Sequence, residues 1–84
     1  MLFEPVVIGG LALRNRLMRS ATAERMCDPV SGEPLPALGA LYEELARGGV
    51  GLIVTGHVCV DDAGKAHPHM GSLAYDAVIP AWRS

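Results

Sequence analysis

The segment ALGALYEELARGG, residues 37–49, runs directly into VGLIVTG, residues 50–56, and this pair limits the architecture more than any other part of the chain. Leu38, Leu41, Tyr42 and Leu45 recur at i, i+3, i+4 and i+7, one face of a 3.6-residue period. Glu43, Glu44 and Arg47 fall on the other side, and Gly48-Gly49 stops the helix as glycine does just past a last turn. Two residues later Gly51–Thr55 is apolar on both faces, the pattern of a strand covered on both sides in a parallel sheet. With a strand candidate upstream at Arg16–Ser20, the spacing predicts one β-α-β unit, which should cross over right-handed.

The flanking segments extend this frame. PVVIGGLALRNR reads as a hairpin over residues 6–13, its two short apolar runs joined by Gly9-Gly10, which supply the positive φ angles of a two-residue turn. DPVSGEPLP, Asp28–Pro36, carries three prolines, a glycine and a serine in nine residues and reads as a loop. A second loop is expected from His57 to Leu73, and YDAVIPAWRS reads as the entry to a second helix. Two parallel strands with open edges, and a Trp82 with no chain left to pack on it, read as the opening third or quarter of something larger.

Composition removes several function classes. The chain has 84 residues, half of them hydrophobic, and a net charge of −2, so no strong electrostatic pull toward nucleic acid is expected. Four of the seven basic residues crowd into Arg14, Arg16, Arg19 and Arg25, yet no aromatic residues interleave with them, and they read as solvated arginines at strand ends. Cys27 and Cys59 form no CxxC pair and read as free, buried or half-buried thiols of a reducing compartment. No basic-then-apolar leader opens the chain, and its longest apolar run is too short to span a bilayer, so a soluble cytoplasmic protein is expected. His67-Pro68-His69 places two imidazoles close together, with His57 nearby, but a mononuclear metal site wants three or four ligands, usually with carboxylate or thiolate help, and Asp61 and Asp62 follow no ordering period, so the histidines read as a solvated loop.

One segment, RNRLMRSATAE, ends a strand in Ser20, Ala21, Thr22 and Ala23, where there is little side chain to pack. From spacing alone such a run reads as a turn, and a lone Gly56 after a strand reads as a bend. The longer stretches LFEPVVIGGLALRNRLMRSATAE, LYEELARGGVGLIVTGHVCVDDAGKA and GSLAYDAVIPAW, however, resemble the old yellow enzyme family, the NADH:flavin oxidoreductases, in order and spacing over nearly the whole chain. The resemblance implies the N-terminal portion of a (β/α)8 TIM barrel. Its parts would be a bottom hairpin at 6–13, a first strand at about 16–20, a first helix at about 36–47, a second strand at about 51–56 and the start of a second helix.

The resemblance further implies FMN at the C-terminal mouth of the strands, NAD(P)H as reductant, and an electrophilic alkene or carbonyl compound as substrate. Ser20, Ala21, Thr22, Ala23 and Gly56 would then be cofactor-binding, small enough for backbone to lie along the flavin ring, with the Ser20 or Thr22 hydroxyl in reach of a ring heteroatom. Departures accompany the match. Ala21-Thr22 stands where many relatives have Pro-Met, and Ala23 where some carry a redox-tuning cysteine. Cys27 lies farther on and reads as a small buried hydrophobe. Glu24 and Arg25 match positions where relatives present substrate-contacting side chains, but read as a solvated loop pair. The family's paired His/His or His/Asn, ring-binding glutamine and arginine, and phosphate loops come later in the barrel, so no catalytic residue, substrate-binding residue or metal ligand is assigned to this chain. Alone it is expected to be inactive. The alternative is a non-catalytic, truncated or barrel-complementing polypeptide, prone to oligomerise or aggregate through open strand edges.

Overall fold

A computed structural model describes residues 1–83. Ser84, the last residue of the stretch read as a second helix, lies outside the described residues. The N-terminal hairpin pairs β1 (Val6–Ile8) with β2 (Leu11–Leu13) in the register Val6–Leu13, Val7–Ala12, Ile8–Leu11. Gly9 and Gly10 take φ of 54° and 84°, the left-handed conformations of a tight turn that matches strand twist. Next comes β3 (Met18–Arg19), then a loop, α1 (Pro36–Arg47) and β4 (Leu52–Ile53). β3 and β4 are parallel, pairing Met18 with Leu52 and Arg19 with Ile53. Their ladder is continued at both ends by Gly51 N–H to Leu17 O, 3.0 Å, and Val54 N–H to Arg19 O, 2.9 Å.

The helix begins where it does because Pro36 has no N–H to leave unpaired in the first turn. Its N-cap, Leu35, is extended and caps nothing with its side chain. The end is better supplied. Gly48 and Gly49 donate to Glu44 O and Ala46 O, and Gly49 adopts φ of 103°, where a side chain would be strained. Arg14 donates from Nη2 to Ala46 O at 2.7 Å, which places a cation on the last carbonyls. Arg14 is therefore a cap of the helix rather than an idle solvated arginine. Leu38 is buried at 5% exposure, with Leu41, Tyr42 and Leu45 half-buried beside it, the stripe that the periodicity predicts.

Three expectations are corrected. The segment after His57 is not all loop: β5 (Val58–Cys59) and β6 (Gly71–Ser72) form a parallel pair, Val58 with Gly71 and Cys59 with Ser72. Two-residue strands are too short to show a period of two, so no sequence pattern announces them. Trp82 is packed, not stranded: it lies in α2 (Ile79–Arg83), its indole N–H donates to Ser72 O at 2.8 Å, and its ring covers Gly71 so closely that a Cβ there would come within 2.8 Å of it. The Gly51–Thr55 run is not covered on both faces, since Leu52 and Ile53 are half-buried and Val54 is 42% exposed.

That exposure is general. The accessible surface is 5823 Å², against about 4,800 Å² for a compact monomer of this mass. The radius of gyration is 14.6 Å, against about 12 Å for a compact domain of this length. The buried apolar residues Leu13, Cys27, Leu38, Cys59, Met70 and Val78 form a thin core, and both cysteines are free thiols. Among the described residues no helix is long and apolar enough to cross a membrane.

Candidate functional site

The hairpin lies at one end of the β3–β4 pair. An apolar cavity of about 240 Å³ between them is lined by Val6, Ile8 and Leu13 from the hairpin and by Leu17, Met18 and Leu52 from the strand starts. At the opposite, C-terminal end the chain leaves β3 through Ser20, Ala21, Thr22 and Ala23, all four exposed. Gly56 leaves β4 alongside them: a Cβ on Gly56 would fall 2.5 Å from Thr22 O. The five residues singled out in the sequence are thus brought to one lip. The Thr22 hydroxyl donates to Ser20 O at 3.0 Å, so its proton is spent on the local turn, and only its lone pairs are offered outward.

Beneath this lip is a polar cluster that sequence reasoning missed. Glu24 is not a solvated loop residue, because its side chain is 6% exposed. Its Oε1 accepts from Arg19 Nη2 at 3.2 Å and its Oε2 accepts from the Tyr42 hydroxyl at 3.4 Å. The Tyr42 oxygen in turn accepts the Gly56 N–H at 3.3 Å. Burial is the largest cause of a raised Tyr42 phenol pKa, so the hydroxyl stays protonated and able to donate. Nothing in the spacing of Arg19, Glu24, Tyr42 and Gly56 marks them as a group. The one available signal was Tyr42 itself, a polar tip on the buried face of α1.

The histidines sit to one side. His67 meets His57 edge to face, ring centroids 5.6 Å apart, and both His67 ring nitrogens are shielded from solvent without a hydrogen-bond partner. Desolvation pushes the His67 pKa down, and Arg25, His57, His69 and Lys65 push it the same way. Arg25 holds φ of 58°, an uncommon conformation for a side-chain-bearing residue, so this corner of the loop is strained. His69 Nδ1 lies 3.2 Å from Cys27 O. Cys27 is itself buried; desolvation first and Glu24 second raise its thiol pKa, which keeps it a packing residue rather than a thiolate. Among the described residues no three of His, Cys, Asp or Glu converge as a metal-ligand group.

The model of the NADH:flavin oxidoreductase / NADH oxidase family matches residues 1–84. The chain belongs to that family. A metal reductase of Desulforamulus reducens is 40% identical over 82 residues, covering 98% of this chain and 12% of the relative. An NADH-dependent flavin oxidoreductase of a Neonectria species is 37% identical over 82 residues, covering 88% of this chain and 10% of the relative. A 2-naphthoyl-CoA reductase in complex with 2-naphthoyl-CoA superimposes with a TM-score of 0.90 at 26% identity, over 95% of this chain and 12% of that one. The old yellow enzyme of Trypanosoma cruzi, at 24% identity, shares the fold with a TM-score of 0.82 over 98% of this chain and 22% of that one. The chain therefore spans about a tenth of the curated relatives it matches. Its hairpin, β-α-β unit and second helix start are the N-terminal portion of a (β/α)8 barrel, with no closed barrel among them. The family's cofactor is FMN, with NAD(P)H as reductant.

The residues present fit one side of a flavin site. The lip carries four small, exposed residues, and the glycine beside them has no Cβ to hold the two strand exits apart, since that Cβ would fall on Thr22 O and Glu24 Oε2. The adjoining half-open cavity, lined by Ala23, Glu24, Tyr42, Gly56 and His67 among others, is about 30 Å³, room for one water and not for a ring system.

Proposed function

We propose that this chain supplies the first part of the flavin platform of an FMN-dependent NAD(P)H oxidoreductase. In this reading Ser20, Ala21, Thr22, Ala23 and Gly56 lie against the cofactor. FMN, when bound, supplies hydride transfer from NAD(P)H to a small electrophilic alkene or carbonyl compound. The chain's own residues bind and orient: small side chains let backbone approach a plane, and the hairpin closes the far end of the strands. No residue here donates a proton to substrate, so the 84 residues alone are inactive. The reading needs no nucleic acid and no membrane, and the two free thiols suit a reducing cytoplasm.

The observation that carries this reading is the placement of four small exposed residues and Gly56 on one lip, at the C-terminal ends of a parallel strand pair. FMN titration followed by flavin fluorescence tests the isolated chain, for which very weak binding is expected. Micromolar affinity would overturn the claim that the remaining barrel is needed. In the FMN-loaded enzyme carrying this segment, Ala21→Leu and Ala23→Leu should lower FMN affinity, and unchanged affinity in both would remove these residues from the cofactor.

A second reading is a non-catalytic chain that completes another barrel. Val7 at 68% exposure, Ile8 at 58% and Met18 at 57% favour it, since they leave apolar surface and strand edges available for pairing. Sedimentation of the purified chain separates the cases: a monomer with one sharp cooperative unfolding transition contradicts a chain that depends on a partner to complete its core.

A further inference from the structure

We infer that Glu24 and Tyr42, with Arg19, are positioning residues that hold the flavin-facing lip in place and balance the charge beneath it. The inference rests on the flavin-platform reading above. Three segments meet in this cluster: the chain leaving β3 contributes Glu24, α1 contributes Tyr42, and the chain leaving β4 contributes the Gly56 N–H. The β3–β4 ladder has only two paired positions, and both lie before the lip. Beyond Val54 the joint between the two strand exits is the Gly56–Tyr42–Glu24 chain of hydrogen bonds, together with the close approach of Gly56 to Thr22 O. The Tyr42 hydroxyl accepts from one exit and donates to the other, a relay that phenylalanine cannot make.

Glu24 is buried and Arg19 is its ion-pair partner, so the pair presents almost no net charge to the lip. Removing Arg19 leaves the Glu24 carboxylate uncompensated in a poorly solvated place, and removing Glu24 leaves a half-buried guanidinium without its partner. Arg19→Gln would leave an anion under the flavin, and Glu24→Gln would leave a cation. A negative neighbour disfavours the reduced, more electron-rich ring and a positive neighbour favours it. The two substitutions should therefore move the flavin midpoint potential in opposite directions, Arg19→Gln downward and Glu24→Gln upward. Damage to folding or packing alone would not produce opposite signs.

The test uses the FMN-loaded enzyme that carries this segment, with FMN itself as the probe. Tyr42→Phe keeps the ring that packs under the lip and removes only the oxygen. It should raise the FMN dissociation constant about three- to tenfold, the size of one or two lost hydrogen bonds, with the absorbance band of the bound flavin displaced. A second measurement is amide hydrogen exchange at Gly56, which should be slow in the unsubstituted protein and faster in Tyr42→Phe. Unsubstituted enzyme that binds no FMN overturns the platform reading. Unsubstituted enzyme that binds FMN, with Tyr42→Phe matching it in affinity and exchange, overturns the positioning role. Potential shifts of the same sign in Arg19→Gln and Glu24→Gln, or no shift in either, overturn the charge balance.

Discussion

Gly56→Ala is the sharpest perturbation of the lip, because its cost follows from two distances. The new Cβ would sit 2.5 Å from Thr22 O and 2.8 Å from Glu24 Oε2. The first neighbour is backbone and cannot rotate away, so the two strand exits must separate by about 0.9 Å to reach an ordinary contact near 3.4 Å. Overpacking of this kind costs about 1–3 kcal/mol. The separation also moves the surface on which a flavin would lie, and misplacement of about 1 Å can cost on the order of 100-fold in function. An internal control is available. Gly39 lies in α1, is exposed, and an added Cβ there meets nothing within 4 Å. Gly39→Ala should stabilise the helix by about 0.5–1 kcal/mol. Urea unfolding can be followed by Trp82, the single tryptophan, whose ring packs on Gly71. The two alanines should shift the midpoint in opposite directions, and FMN affinity of the loaded enzyme should fall at least tenfold for Gly56→Ala alone. If Gly56→Ala matches the unsubstituted protein in both measurements, the close approach is not a constraint and the lip is looser than described.

Other consequences are read by the same methods. Leu35→Asp should stabilise the protein by about 1 kcal/mol, because the N-cap of α1 has extended geometry and no side-chain cap at present; an unchanged urea midpoint would contradict it. Leu38→Ala removes the most buried residue of α1 and should cost about 2–4 kcal/mol, a large part of the total for a chain of this size; a loss under 1 kcal/mol would show that the helix is not held by this face. For His67 the folded-state pKa lies below 6.5, chiefly through burial and then through Arg25, His57, His69 and Lys65. The unfolded chain then binds the proton more readily, so the stability this residue allows is intact above pH 6.5 and declines as pH falls through and below that value. His67→Gln should flatten the decline in urea midpoint between pH 7.5 and pH 5, and an unchanged slope would assign the decline to other groups.

The sequence was most legible where a pattern repeats. α1 shows two turns of apolar spacing and a double-glycine stop, and the hairpin shows two apolar runs around glycines whose φ angles are positive, as such a turn requires. β5 and β6 have two residues each and read as loop in the sequence, because nothing so short has a period. The partners of Trp82 are invisible in the sequence because its contacts, Gly71 and Ser72, lie ten or more residues back in a segment without pattern. The exposed Val54 shows a different failure: a run apolar on both faces predicts two covers, and only a covered neighbourhood in space can supply them. At the lip the small residues were visible in sequence, whereas the Arg19–Glu24–Tyr42 cluster was not. Charged residues on loops are usually solvated, and only the fold shows that Glu24 turns inward.

So short a ladder still keeps one register. A slip of one residue between β3 and β4 would exchange their faces, and two paired positions alone resist it weakly. The resistance comes from beyond both ends of the ladder. At the hairpin end, buried Asn15 donates to Gly49 O and accepts from Leu17 N–H, and a Cβ on Gly51 would fall 2.5 Å from its Oδ1. At the lip, Gly56 closes on Thr22 O and is tied to Tyr42. Each end thus joins a glycine that admits close approach to a polar side chain that satisfies the nearby backbone. A slipped strand would bring Val50 or Leu52 to the Asn15 contact and Thr55 or His57 to the Thr22 contact, and none of these can come so near without a clash. Register is therefore specified by two glycines five residues apart rather than by the strand residues between them, which leaves Leu52 and Ile53 free to serve packing alone.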